Sequence, residues 1–343
     1  MAVNQTLSTY SDMAFATSVA VYVVAMLLYF GEFASRKPRG AAVGREPELV
    51  AAGGASAEAG TSASSDEVPS SVVGHVPAPR GRALSERLGG MAVAMTILGV
   101  LIHAFSIATR GFAVGRVSWG NLYEFGSAIC LVAVLAWLVV LYRQSRPIRK
   151  PASSAQLRGL GGFVLLPMVI LLFLSGTLLY AEAAPLQPAL RSYWIWIHVS
   201  AAIISTGGFW FAGVASALFL LRTAYENNPA RLARFAGRLP SSQVLDRMAY
   251  RATVIIMPVW TFGLIAGAIW AEAAWGRFWG WDPKETCSLV AWVIYAAYLH
   301  ARATAGWRGS RAAWINIAGL AAMVFNQFFI NTVIAGLHSY AGL

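Results

Sequence analysis

Four of the five histidines, His103, His198, His300 and His338, stand in or at the end of long apolar runs. An ionisable side chain at such a position is costly and by default marks a functional site. His198 follows Tyr193, Trp194 and Trp196. Between it and His338 lies a loop reading Trp275-Gly276-Arg277-Phe278-Trp279-Gly280-Trp281-Asp282-Pro283-Lys284-Glu285. So dense a set of large aromatics exceeds what anchoring a helix at a membrane surface requires. Their flat, polarisable faces suit a planar apolar ligand, and Arg277 and Lys284 can pair with carboxylates on it. A planar, carboxylate-bearing macrocycle held by two neutral imidazoles is haem. Taken singly, each histidine is equally well explained as an interfacial side chain satisfied by water.

Positioning these residues falls to membrane helices. Of 343 residues, 57% are apolar and 12% charged, whereas a soluble chain carries about 45–50% and 25%; an ordinary cytosolic enzyme is excluded. Eight apolar runs, at about 13–30, 89–108, 123–142, 160–180, 198–221, 251–272, 285–303 and 313–337, approach the roughly 20 residues that cross about 30 Å of hydrocarbon. The expected fold is all-α, a polytopic integral membrane helix bundle of about eight transmembrane helices with both termini on one side. Most of the 26 Lys and Arg fall in loops on one face, against Arg110, Arg116, Arg191, Arg277 and Lys284 on the other. The positive-inside rule then sets the termini and the tryptophan-rich loop outside. The net charge of +11 records orientation, and no nucleic-acid partner follows from it.

Three regions are expected along the chain. Residues 1–34 form the first transmembrane helix, since 13–30 lacks the basic flank and small-residue cleavage site of a removable signal. Residues 35–88, rich in Ala, Gly, Ser and Pro, read as a disordered cytoplasmic linker in which His75 is a solvated loop residue. Residues 89–343 form a seven-helix core whose loop at 273–285 is external. Cys130 and Cys287 make no CxxC motif, so the chain itself is not expected to perform thiol redox chemistry.

This topology delivers His198 and His338 to one membrane surface beside the loop. Asp282, Pro283 and Glu285 fit the N-cap, N1 and N3 positions of the helix that follows; direct ligand contact is the alternative role. His300 lies 15 residues beyond Glu285, or ~22 Å along a helix. It either bonds to a neighbouring helix or ligates a second haem. His103 is the intramolecular candidate at depth for that second ligand, but it sits nearer the outer side. Gln327, Asn331 and His338 recur at helical spacing and are expected on one face, as glue between helices or lining a wet cavity. No residue resembles a nucleophile with an adjacent base.

The stretch WGRFWGWDPKETCSLVAW, with SYWIWIHV before it, AAYLHAR after it, AGLHSYAG near the C-terminus and GNLYE at 120–124, resembles the CcsA/ResC family, the haem-handling component of the System II cytochrome c synthetase. The resemblance implies that His198 and His338 ligate haem iron beneath a loop formed by Trp275, Trp279, Trp281, Asp282 and Pro283. It implies that His300 holds haem during its passage, the other axial ligand coming from a ResB-type partner. It further implies haem b as substrate and bound ligand, and haem lyase activity in complex with that partner in the bacterial cytoplasmic membrane. Apocytochrome c and a thioredoxin-like thiol reductant are the other implied partners. Thioethers would then form at a CxxCH motif on the outer side, with no catalytic residue in this chain beyond those presenting haem. A haem delivery or export subunit without ligation activity is the alternative, and a purely structural membrane subunit is a third class. Cys287 stands where the family often has an aromatic.

Overall fold

The computed structural model describes residues 3–36, 84–145, 156–230, 232–304 and 306–338. Eight long helices account for most of them: α1 Gln5–Ser35, α2 Leu84–Val114, α3 Leu122–Ser145, α4 Gly161–Thr177, α5 Tyr193–Asn227, α6 Ser242–Trp275, α7 Pro283–Ala303 and α8 Ser310–Phe325. All regular structure among the described residues is helical. Helices α1 and α2 reach into the ends of the expected linker at Ser35 and Leu84; residues 37–83, with His75, lie outside the described residues.

Seven helical segments are long and apolar enough to cross a membrane, namely α1, α2, α3, α5, α6, Gln156–Thr177 containing α4 and Ser310–Val333 containing α8, and the chain is a multi-pass membrane protein. The eighth expected span is present as α7, but Lys284, Glu285, His300 and Arg302 leave it too polar to qualify alone. Its course is set by its neighbours. At one end Asp282 bonds to the segment after α8, and at the other Arg302 grips Asp246 in the first turn of α6 at 2.5 and 3.0 Å. Helix α7 therefore runs antiparallel to α6 over the length of the bundle. It presents Ser288, Ala291, Tyr295 and Tyr298 inward.

Two antiparallel pairs organise the rest. The N–H of Asn4 at the start of α1 donates to Ala113 O near the end of α2, and Ser11 and Ser106 exchange hydroxyl-to-carbonyl bonds of 2.9 and 2.8 Å between them. Such small hydroxylated side chains let helices approach closely where apolar burial gives no advantage over lipid. Helices α3 and α4 close over this pair through Tyr22, Ile129, Cys130, Leu165 and Met168. Helices α5 and α6 form the second pair. Pro167 and Pro258 lie inside α4 and α6, as neighbouring helices in a membrane bundle permit.

The polar stripe expected along the last span stops short of His338. After Phe325 the chain makes a π-helical turn, Asn326–Ile330, and a last short helix, Asn331–Val333; Ile334 is extended. The wide turn alters the rotation per residue. Asn331 Nδ2 and Thr332 Oγ1 bond back to the carbonyls of Gln327 and Phe328. His338 thus arrives on a turn beyond the helix.

Candidate functional site

A cavity with about 1110 Å³ of empty space, its open mouth included, lies at the end of the bundle that carries the tryptophan-rich loop, between α3, α5, α6, α7 and the end of α8. His198 and His338 both line it. Ser192 caps α5 by accepting from the Trp194 N–H, which starts the helix six residues before His198. The imidazole then meets α6 where that helix has no side chains: the Nδ1–H donates to Gly263 O at 2.8 Å, and a Cβ on Gly267 would lie 2.6 Å from the same nitrogen. Gly263 and Gly267 are four residues apart, on one helix face.

His338 is held by the loop. Gly276, in a left-handed conformation (φ 71°), ends α6, which suits a residue without a Cβ. The chain then crosses to Asp282, which begins α7 with the complete capping box expected of it, with Pro283 at N1 and Glu285 at N3. The Asp282 carboxylate also accepts the Leu337 N–H at 2.7 Å and the His338 Nδ1–H at 2.8 Å. Capping and a role at the site are therefore one arrangement. Burial holds the His338 imidazole below its ordinary 6.5, the Asp282 carboxylate partly offsetting it. Burial would raise the Asp282 pKa, but the hydrogen bonds from His338, Leu337 and Lys284 outweigh it and hold the carboxyl below its ordinary 3.8.

Each imidazole thus commits its Nδ1 proton to an oxygen, leaving Nε2 as the lone-pair nitrogen. A histidine that ligates a metal is oriented in the same way by a carbonyl or carboxylate behind it. Trp270 joins the two: its ring stacks near His198 (centroids 6.0 Å, 9°) and meets His338 edge-on (5.8 Å, 61°), with Trp275 5.0 Å from His338. The Trp270 Nε1–H donates to Ala189 O.

Of the other residues singled out in the sequence, Trp275 and Trp279 line the cavity, as does Lys284. Trp281, Asp282 and Pro283 do not: Trp281 is 70% exposed and left-handed (φ 58°), packed edge-on against Trp279. His300 also lies off the cavity, exposed near the far end of α7. His103 is fully buried between α1 and α3, bonded to Ser127 Oγ at 2.8 Å and near Tyr22 OH at 3.4 Å. It is a satisfied core histidine and no partner for His300.

Sequence reasoning missed Trp119, Trp260 and Trp270 in the wall. Trp119, just before the GNLYE stretch, carried a signal in its neighbours. Glu124 of that stretch is buried, takes Arg110 Nε at 2.9 Å, Arg116 Nη1 at 2.7 Å and the Gly120 N–H at 2.7 Å, and so holds residues 119–121 against the cavity. Such a buried charge stays only where it is paired and hydrogen-bonded.

The chain is similar to known proteins over most of its length. The model of the cytochrome C assembly protein family matches residues 119–338. The cytochrome c biogenesis protein CcsA of Parasynechococcus marenigrum (strain WH8102) is 31% identical over 277 residues, covering 75% of this chain and 88% of the relative. CcsA of Prochlorococcus marinus (strain MIT 9303) is 32% identical, covering 72% and 82%, and that of Chlamydomonas reinhardtii 31%, covering 75% and 71%. The solved structure of the cytochrome c heme lyase CcmF superposes with a TM-score of 0.59 at 14% identity, over 96% of this chain and 47% of that one, and so shares the fold.

Proposed function

Since the chain belongs to the cytochrome c assembly protein family, as a CcsA-type member handling haem in cytochrome c biogenesis, we propose that its cavity receives haem b as substrate, with His198 and His338 as the axial ligands. The observation that carries this reading is the pair of imidazoles on one cavity, each with its Nδ1 proton held by an oxygen of the protein. Tryptophan and phenylalanine walls fit a planar ring, and the missing Cβ of Gly267 leaves room for the His198 imidazole.

The reaction we assign is haem lyase activity in complex with a ResB-type subunit. In each thioether a cysteine S–H of the CxxCH motif of apocytochrome c adds across a haem vinyl. Sulfur bonds to the inner carbon and the proton ends on the terminal carbon, so no electron acceptor is consumed. A thioredoxin-like reductant keeps the thiols reduced. This chain contributes orientation: the imidazoles fix the iron, the tryptophans fix the ring plane, and the substrate histidine replaces one imidazole. The loop faces outward from the bacterial cytoplasmic membrane, the orientation favoured by the basic loops.

His300 takes a separate role, holding haem in passage with a ligand from the ResB-type partner. Its exposure on α7, on the same face as Val290 and Val293, supports this, because an imidazole facing lipid is costly unless a partner meets it.

The test is to purify the chain with its ResB-type partner and record the haem spectrum. His198→Ala and His338→Ala should each lose bis-histidine haem and holocytochrome formation, with partial rescue by imidazole. Normal holocytochrome from both variants would overturn the assignment. Bound haem with no ligation in the wild type would favour the delivery reading.

A further inference from the structure

The cavity is chemically two-sided. Helices α3, α5 and α6 present mainly Leu122, Phe125, Val199, Ala202, Trp260 and Leu264, with Thr206 among them; α7 and the π-helical turn after α8 present Lys284, Glu285, Ser288, Asn326 and Gln327, with Met323 of α8 beside them. Lys284 is the only Lys or Arg among the lining residues, and its Nζ donates to Asn331 Oδ1, a neutral acceptor, at 2.6 Å. Among the described residues no carboxylate lies within ion-pair distance of its Nζ, although the Asp282 carboxylate acts on it electrostatically. The one lining carboxylate, Glu285, accepts the N–H groups of Gly280 and Asp282 through Oε2, while its buried Oε1 has no hydrogen-bond partner. Arg277, the other cation of the loop, lies outside the lining, 3.9 Å from Glu285. The Oδ1 of buried Asn326, whose Nδ2 bonds to Ser288 Oγ, has no partner. The cavity therefore carries its one ammonium beside a carboxylate and several neutral polar groups on α7 and the turn after α8, and mostly apolar side chains on α3, α5 and α6.

We infer that Lys284 receives a carboxylate of the haem substrate and thereby sets the rotation of the ring within its plane; the inference rests on the reading that haem enters this cavity. Two axial imidazoles define an axis and an aromatic wall defines a plane, but neither resists rotation about that axis. A charge-assisted contact at the ring's edge does. In haem b the carboxylates sit on two adjacent pyrroles and the vinyls on the other two. Holding the carboxylate edge at α7 and the turn after α8 directs the vinyl half away from that side, toward the walls built by α3, α5 and α6. Lys284 is on this account a substrate-binding and specificity-determining residue, and Asn331 positions its ammonium.

The test compares haem with its dimethyl ester, in which both carboxylates are blocked, on the complete chain co-purified with its ResB-type partner, reading retained ligand from the absorbance spectrum. The wild type should hold haem at least about tenfold more tightly than the ester, the scale of one hydrogen bond to a charged group. Lys284→Met should lower haem to the level of the ester while leaving the ester unchanged, and Lys284→Arg should restore a preference for haem. Equal retention of haem and ester by the wild type, with a bis-histidine spectrum, would overturn the inference alone. So would an equal loss of both ligands in Lys284→Met. If the wild type retained neither ligand better than His198→Ala, the haem reading itself would fall, and the inference with it.

Discussion

The His338 Nδ1–H donates to Asp282 Oδ2 across 2.8 Å, joining residues 56 apart in the chain. The same carboxylate starts α7, so one side chain serves both the helix cap and the orientation of the histidine. Replacement of Asp282 should separate them. Asp282→Ala loses the cap, about 1 kcal/mol, together with the histidine's acceptor. Asp282→Asn keeps the cap and offers only a neutral acceptor, so expression should hold while haem affinity falls about 10–100-fold, the usual consequence of removing a partner behind a ligand. Expression level and haem content measured on the same preparations decide it; normal haem in Asp282→Asn would dissociate the carboxylate from ligation.

The same pair sets a dependence on pH. His338 and Asp282 both have pKa values in the folded protein below their ordinary 6.5 and 3.8. Each therefore contributes stability that is present above its unfolded pKa and is lost as pH falls through its folded one. Thermal stability should be insensitive to these two groups at neutral and mildly alkaline pH. It should decline first below 6.5, where the unfolded chain takes up the His338 proton, and again below 3.8, where Asp282 follows. Melting curves across this range check the sign. A decline that is present in the wild type and unchanged in His338→Gln would remove the histidine from the account.

Gly267 leaves the space in which the His198 ring lies. A Cβ there would fall 2.6 Å from Nδ1 and 2.7 Å from Cε1, closer than real contacts allow. Gly267→Val should turn the ring away from Gly263 O, so haem content and ligation should fall about as far as in His198→Ala while the protein still reaches the membrane. Excess imidazole should restore part of the haem. Full haem content in Gly267→Val would show that the ring does not need this position.

The tryptophans should not behave alike. Trp275 and Trp279 line the cavity, and alanine at either should remove roughly 1–3 kcal/mol of ring contact, on the scale of aromatic stacking on bases. Trp281 faces away from the lining with φ 58°, a conformation that costs a non-glycine residue about 1–3 kcal/mol. Trp281→Gly should leave haem content close to wild type and stability no lower. Haem titration of the three variants distinguishes them; a loss in Trp281→Gly equal to that in Trp279→Ala would place the exposed ring at the ligand.

Membrane helices announce themselves through composition, because hydrocarbon admits only long apolar segments whose backbone bonds are internal. Seven spans were therefore legible from hydropathy, and α7 was legible as a run although its charged ends leave it too polar to qualify alone. The cap at Asp282, Pro283 and Glu285 was legible too, since a capping box lies within four consecutive residues. The meeting of His198 and His338 at one surface was legible as well, because successive spans alternate between the two faces of a membrane.

Contacts between residues distant in sequence had no such local trace. Trp270 beside both histidines and Gly263 O behind His198 each depend on how one helix is rotated against another. The helical spacing of Gln327, Asn331 and His338 misled, because the π-helical turn at Asn326–Ile330 and the chain's exit at Ile334 break the periodicity on which it relied. The alternatives of cap or site contact for Asp282 could not be resolved from sequence, since both use the same carboxylate and only the fold brings Leu337 and His338 to it. Sequence by itself determined which segments cross the membrane and which residue types gather at one surface, because hydrophobicity and local hydrogen bonding act along the chain. Tertiary structure alone decided which of those residues face one another, because helix rotation and close packing are settled by the neighbouring helices.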